Sequence, residues 1–272
     1  MEAVAAVMAD NFKEDGLYVH LLPDPSTRVE VLKLFFRNYI ELLYDYGGLY
    51  ATSEKMEAVA LVFRSERVGA SWASRMSYTW GVARAIAKSL RMCRYISPAG
   101  FLRALSGLRS MSSAWLASLG DQPYLHLDML VVQPQYRGQG WVRKIMSPLL
   151  AECRERRIAC TLETQNPRNV GLYEHYGFTI VDTIQMRNSD LKQYCMVCLP
   201  GNGGLAERES RASDSHVVTQ HDGEGVRMNL TNLRLMNEQV IRIYDTDLPQ
   251  NEIAKKLIMN DVIISAILSI SM

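Results

Sequence analysis

"QYRGQGWVRKIM", Gln135 to Met146, sets an arginine, two glycines and two further cations between two apolar segments. The segment before it, His126 to Val132 (HLDMLVV), is aliphatic and β-branched and is closed by Pro134, so it reads as a buried strand. In the segment after it, Val142, Ile145, Met146, Leu149 and Leu150 recur at helical spacing. The glycines therefore stand at a strand-to-helix turn, where free backbone N–H groups and the positive end of a helix dipole can hold an anion.

Three phosphate-binding geometries compete for Arg137-Gly138-Gln139-Gly140. A P-loop needs GxxxxGK followed by a hydroxyl residue, and neither the lysine nor the hydroxyl is present. A dinucleotide fingerprint needs GxGxxG, but Gly138-x-Gly140 is followed by Trp141-Val142-Arg143, without the third glycine. What remains is a turn whose amides and helix N-terminus hold a pyrophosphate, with Arg137, Arg143 or Lys144 neutralising charge. For RGxG alone, a tight turn with solvated bases would serve equally well.

Working outward, Arg28 to Tyr46 carries an apolar stripe at helical spacing, and Leu49 to Thr52 and Ala58 to Phe63 read as short strands. An insertion at 64–121 follows, with helical stretches at Tyr78 to Tyr95 and Ala99 to Leu119 divided by Ser97-Pro98. Tyr78, Trp80, Arg84, Trp115 and Asp121 are its candidate pocket residues. Beyond it come a strand (Leu125 to Val132), a helix (Arg137 to Arg154), a strand (Ala159 to Thr164), a short helix (Asn169 to Tyr176) and two strands (Phe178 to Gln185, Tyr194 to Leu199). This alternation predicts a mixed α/β sheet with a parallel pair at its centre, flanked by helices. Residues 1–199 form the expected domain.

From Pro200 the chain turns polar and rich in Gly and Ser, which predicts a flexible linker over 200–227. Helices are expected at Asn229 to Asp245 and Pro249 to Met259, making 228–272 a small helical appendage. The stretch 247–268 has a faint helix-turn-helix pattern, but the usual turn glycine is missing and bases are few, so nucleic acid is not expected as a partner.

Bulk properties set the limits. The 272 residues suffice for one sizeable domain with an appendage, and 48% hydrophobic content supports a core. With 30 Lys+Arg against 29 Asp+Glu, no global charge calls for nucleic acid or an anionic membrane. Met1 to Asp10 lacks a basic leader, Val262 to Met272 is too short to span a bilayer, and the five cysteines are odd in number without framework spacing. A soluble cytoplasmic protein is expected. Cys195 and Cys198 form one CxxC with no second pair, so no metal site is expected.

"LDMLVVQPQYRGQGWVRKIM" resembles motif A of the GNAT superfamily of acyl-CoA-dependent N-acetyltransferases, in which a strand is followed by Gln or Arg-x-x-Gly-x-Gly or Ala and a helix. Two registers fit. Gln135-x-x-Gly138-x-Gly140 satisfies the pattern, whereas Arg137-x-x-Gly140-x-Val142 places the helix better and has valine for the last small residue. "LETQNPRNVGLYEHYGF", Leu162 to Phe178, is similar to the family's motif B. The resemblance implies a centrally splayed sheet with acetyl-CoA between Leu125 to Val132 and Ala159 to Thr164. Leu130, Val131 and Val132 would line the pantetheine arm, and Gln135, Arg137, Gly138, Gln139, Gly140, Trp141, Val142 and Arg143 the pyrophosphate. Asn166 or Asn169 would lie beside the arm, and Tyr173 would protonate the departing thiolate, with Tyr176 as its substitute.

An amine is mostly protonated at neutral pH, so a base must take its proton before attack. Glu163 and Asp128 rank equally for that task, with His126 behind them. The expected activity is acetyl transfer from acetyl-CoA to the primary amine of a small molecule. The alternative is a non-catalytic acyl-CoA-binding regulator that signals through its C-terminal helices.

Overall fold

The structure, a computed structural model, describes residues 1–68, 71–109, 111, 113–120, 122–186, 189–201 and 241–244. The chain begins with α1 (Glu2–Phe12), which buries Val4, Ala5, Met8 and Ala9 along one face. The next two helices start at aspartates. Asp15 accepts from the Leu17 N–H at 3.0 Å to cap α2 (Gly16–Leu21), and Asp24 accepts from the Ser26 N–H at 2.9 Å to cap α3 (Pro25–Leu43). Pro25 in the first turn of α3 costs nothing, because its missing N–H would have had no helical partner. The helices α1 and α2 were not among the sequence expectations.

A hairpin of β1 (Gly47–Ala51) and β2 (Ala58–Arg64) follows, buried throughout. The insertion folds as α4 (Trp72–Ser89) and α5 (Pro98–Arg109), and then a 3-10 segment, Ala114–Leu119, replaces the second half of the single helix expected over Ala99 to Leu119. After it come β3 (Tyr124–Val132), α6 (Trp141–Glu155), β4 (Ala159–Thr164), α7 (Pro167–His175), β5 (Thr179–Gln185) and β6 (Lys192–Cys198). A last strand, β7 (Ile241–Tyr244), pairs antiparallel with β1. It falls inside the helix expected at Asn229 to Asp245 and corrects that expectation. Its sequence, IRIY, alternates β-branched and polar residues and so fits a sheet edge. The linker from residue 202, the remainder of the appendage with the 247–268 stretch, and Asp121 lie outside the described residues.

The strand order is β5-β6-β4-β3-β2-β1-β7, and only β3 and β4 run parallel. One face of the sheet packs on α1 to α5, where Met8, Leu32, Phe36, Ile40 and Leu43 meet Leu49, Val59 and Leu61. The other face packs on α6 and α7, where Ile145, Met146 and Leu149 meet Ala60, Val62, Leu125 and Leu162. Buried Arg64 ties this second layer to the sheet, because its guanidinium holds Glu152 of α6 at 2.9 Å and the Tyr50 hydroxyl at 2.6 Å. No helix among the described residues is long and apolar enough to cross a membrane.

Candidate active site

The two central strands part company. The parallel ladder runs from Tyr124↔Ala159 to Leu127↔Leu162 and stops, while β3 continues to Val132 and β4 to Thr164. From Asp128 onward, β3 is paired only on its β2 side. The opposite edge, including Leu130, Val131 and Val132, presents main-chain groups to a gap. The Val131 side chain itself is buried in the core, so any contact it makes in the gap is through its backbone.

A β-bulge marks the start of the parting. Leu61 pairs with Met129 but Val62 pairs with Leu127, so Asp128 is the extra residue on β3. The bulge sends two consecutive residues to the same side: Met129 packs into the α1–α5 core, and Asp128 Oδ1 accepts from the Tyr39 hydroxyl of α3 at 2.8 Å. Asp128 Oδ2 is buried and has no hydrogen-bond partner among the described residues. Burial raises the Asp128 carboxyl to about 7, against the Tyr39 hydrogen bond and with help from the Glu163 charge.

Glu163 stands on β4, one residue past the end of the ladder. Its Oε1 accepts from the Trp115 indole N–H at 2.6 Å and the Ser113 hydroxyl at 3.1 Å, which fastens the end of the insertion to the site. Burial raises Glu163 to about 7 as well, although both donors favour its charged form. His126 faces Thr161 Oγ1 at 2.8 Å, and burial lowers it to about 4, so it is neutral at neutral pH and a weak base. The two carboxylates are much better matched to proton transfer near pH 7.

At the end of β3 the turn is built as its glycines require. Gly138 and Gly140 have φ of +75° and +78°, which L side chains rarely adopt, and a Cβ on either would meet nothing within 4 Å. Gly140 is the N-cap of α6 and no side chain caps the helix, so its first N–H groups have neither a helical nor a capping partner. This places the helix as the register Arg137-x-x-Gly140-x-Val142 would. Gln135, Arg137, Gln139 and Arg143 are exposed around the turn, and the Lys144 ammonium lies 3.7 Å from the Trp141 ring centroid. Gln139 Nε2 donates to the Gln135 carbonyl at 2.9 Å and Arg137 Nε to the Val132 carbonyl at 3.2 Å.

On α7, Asn166 is the N-cap and accepts from the Arg168 N–H, whereas Asn169 and Tyr173 line the opening. Tyr173 is buried with its ring edge-on to Phe178, centroids 6.0 Å apart, and burial raises its hydroxyl to about 12. Tyr176 is on the same helix end, also buried.

A cavity of about 260 Å³ opens on Asp128, Glu163 and Tyr173 and extends under α2 to α5. Of the insertion residues considered as its lining, Trp115 reaches the site through Glu163, and Tyr78 is buried with Asp128 near enough to help raise its hydroxyl further. Trp80 and Arg84 point outward instead, at 75% and 67% exposure, because they occupy the outer face of α4. Tyr39 was not singled out in the sequence. A hydroxyl on the apolar stripe of α3 was the available signal.

Residues 110–192 match the family model described as "Acetyltransferase (GNAT) domain". That segment is a GNAT acetyltransferase domain. It contains the whole arrangement of β3, turn, α6, β4 and α7, while α1 to α5 precede it. Among solved structures, the chain is similar to a Corynebacterium glutamicum protein described as "histone acetyltransferase HPA2 and related acetyltransferase", at 16% identity over 75% of this chain and 91% of that one, with a TM-score of 0.45. It is also similar to the Escherichia coli ribosomal-protein-S18-alanine N-acetyltransferase (23% identity, 30% and 57% coverage, TM-score 0.27). A third is the Drosophila melanogaster polyamine N-acetyltransferase (12%, 53% and 69%, TM-score 0.31). No curated protein matches the chain.

Proposed function

We propose that the chain transfers the acetyl group of acetyl-CoA to the primary amine of a small molecule by direct attack. The observation that carries this reading is the parting of β3 and β4, which gathers two half-buried carboxylates and Tyr173 around one opening beside an uncapped glycine turn. The turn fits a pyrophosphate: its glycines leave room above the backbone, α6 offers free N–H groups, and Arg137, Arg143 and Lys144 supply charge. When bound, acetyl-CoA supplies the activated thioester carbonyl.

The residues of the chain do the rest. Asp128 and Glu163 hold the ammonium and take one proton from it. The freed nitrogen then bonds to the acetyl carbon as the carbon–sulfur bond breaks. Tyr173, protonated across the physiological range because burial raises its pKa, gives its proton to the departing sulfur. It regains one from the second proton that the nitrogen releases. Burial of the site makes each of these interactions stronger than it would be in water.

Acetyl-CoA at about 100 times its dissociation constant should stabilise the protein by about 2.7 kcal/mol in thermal melts, and NAD and ATP should not. In a free-thiol assay with an amine acceptor, Tyr173→Phe should lower kcat by at least about 100-fold while acetyl-CoA still binds. Full turnover in that variant removes the proton-donor role. A regulator that holds acyl-CoA without turnover would show the stabilisation and no thiol release from the unaltered protein.

A further inference from the structure

We infer that the acceptor is a primary amine with an extended apolar body, an alkyl or arylalkyl amine, whose ammonium meets Asp128 and Glu163 while its body fills the cavity under α2 to α5. This rests on reading the two carboxylates as the amine end of the proposed transferase, and it adds what the remainder of the acceptor must be.

The composition of the cavity wall makes the case. Away from the carboxylates it is built of aliphatic and aromatic side chains from four helices, among them Leu21, Leu32, Phe35, Val82, Ile86 and Leu105. Among the described lining residues there is no lysine or arginine, whereas Asp15, Asp128 and Glu163 are all acidic, so the cavity suits a cation and repels an anion.

Several of the polar groups set into the apolar wall are already committed. Asp15 caps α2, Asn38 Nδ2 donates to Ser89 Oγ at 3.0 Å, and Ser89 Oγ donates to the Ala85 carbonyl at 2.8 Å. The hydroxyls of an amino sugar or the further ammonium groups of a polyamine would be desolvated there with few partners besides Asp15, which binding disfavours. Asp128 Oδ2, by contrast, is a buried acceptor awaiting a donor beside the opening. Charge recognition is thus concentrated at one end and hydrophobic recognition fills the rest.

The volume sets the length. A cavity of roughly 150 Å³ holds benzene, so about 260 Å³ corresponds to an acceptor on the order of ten heavy atoms. Each methylene buried should improve binding about fourfold, since it removes about 0.8 kcal/mol of apolar surface from water. Beyond the length that fills the cavity the gain should stop.

The test uses the full chain and two readouts. In calorimetry near pH 7, octylamine should bind at least about 100-fold more tightly than glucosamine or spermidine, and octanoate, with the same length and opposite charge, should not bind. In the free-thiol assay, kcat/KM across butylamine, hexylamine, octylamine and dodecylamine should rise about fourfold per methylene and then level off. Ala104→Phe, which occupies the α5 wall, should move that maximum to a shorter chain. Asp128→Asn should reduce the preference for octylamine over octanol at least about tenfold, with a cooperative melt confirming that it folds. Equal or tighter binding of spermidine or glucosamine overturns the inference, as does a flat chain-length series. Octylamine binding without acetyl transfer leaves the inference intact and overturns the transferase reading instead. Acetyl transfer that favours polar amines does the reverse.

Discussion

Asp128 concentrates the chemistry of the site because of where its backbone stands. An ordinary strand would alternate faces, and the bulge puts Asp128 and Met129 on one side, with the carboxylate at the start of the gap. The cost appears in its protonation. The unfolded chain releases the Asp128 proton near about pH 4, and the folded protein holds it to about 7. Between those values the native state binds a proton that the unfolded state has lost, so stability must fall as pH rises through that window and level off above it. Asp128→Asn has no proton to lose. Its stability relative to the native sequence should therefore increase from pH 4 to pH 7 in denaturant titrations; parallel curves would mean that Asp128 is solvated. The sequence placed Asp128, Glu163 and Tyr173 among the candidates, and all three line the opening. It did not reveal the bulge, because HLDMLVV contains neither glycine nor proline to mark one, and it did not pair Asp128 with Tyr39, which lies 89 positions earlier.

At the scale of elements, the strands other than β7 were legible and the helix ends less so. The expected strand at Ala159 to Thr164 coincides with β4, whose Cys160 and Leu162 alternate onto the α6–α7 core. The helix expected from Arg137 begins instead at Trp141, because both glycines of the turn adopt positive φ and exclude helix there. The helices α1 and α2 escaped notice because the small alanines of α1, good helix formers though they are, blur its apolar periodicity, and α2 is only six residues long, although Asp15 offered a cap signal. The turn gives its own prediction. With nothing within 4 Å of a Cβ at Gly140, Gly140→Val should cost only the left-handed backbone strain, about 1–2 kcal/mol in a thermal melt. Acetyl-CoA affinity should nevertheless fall at least about tenfold, as the valine occupies the space above the amides. Unchanged affinity would place the pyrophosphate elsewhere.

Across the whole molecule, the sheet separates two layers with different duties. The α6–α7 layer is fixed to it by a half-buried charge network in which buried Arg64 holds Glu152, and Arg156 pairs with both Glu152 and Glu66. Burial pulls the Glu152 carboxyl upward, but the hydrogen bonds and charges of Arg64 and Arg156 outweigh it and leave the carboxyl below its usual value. Glu152→Gln would strand the Arg64 guanidinium, whose side chain is 5% exposed, and should cost about 3 kcal/mol, seen as a lower melting temperature with acetyl-CoA binding retained. The α1–α5 layer forms the cavity wall, and every one of its helices precedes the matched segment 110–192. On the proposed reading, the parts that handle acetyl-CoA and move protons come from one contiguous stretch, and the parts that choose the acceptor come from another. Selection can therefore redraw the list of acceptable amines by altering α2 to α5 alone, while the reaction itself is inherited unchanged.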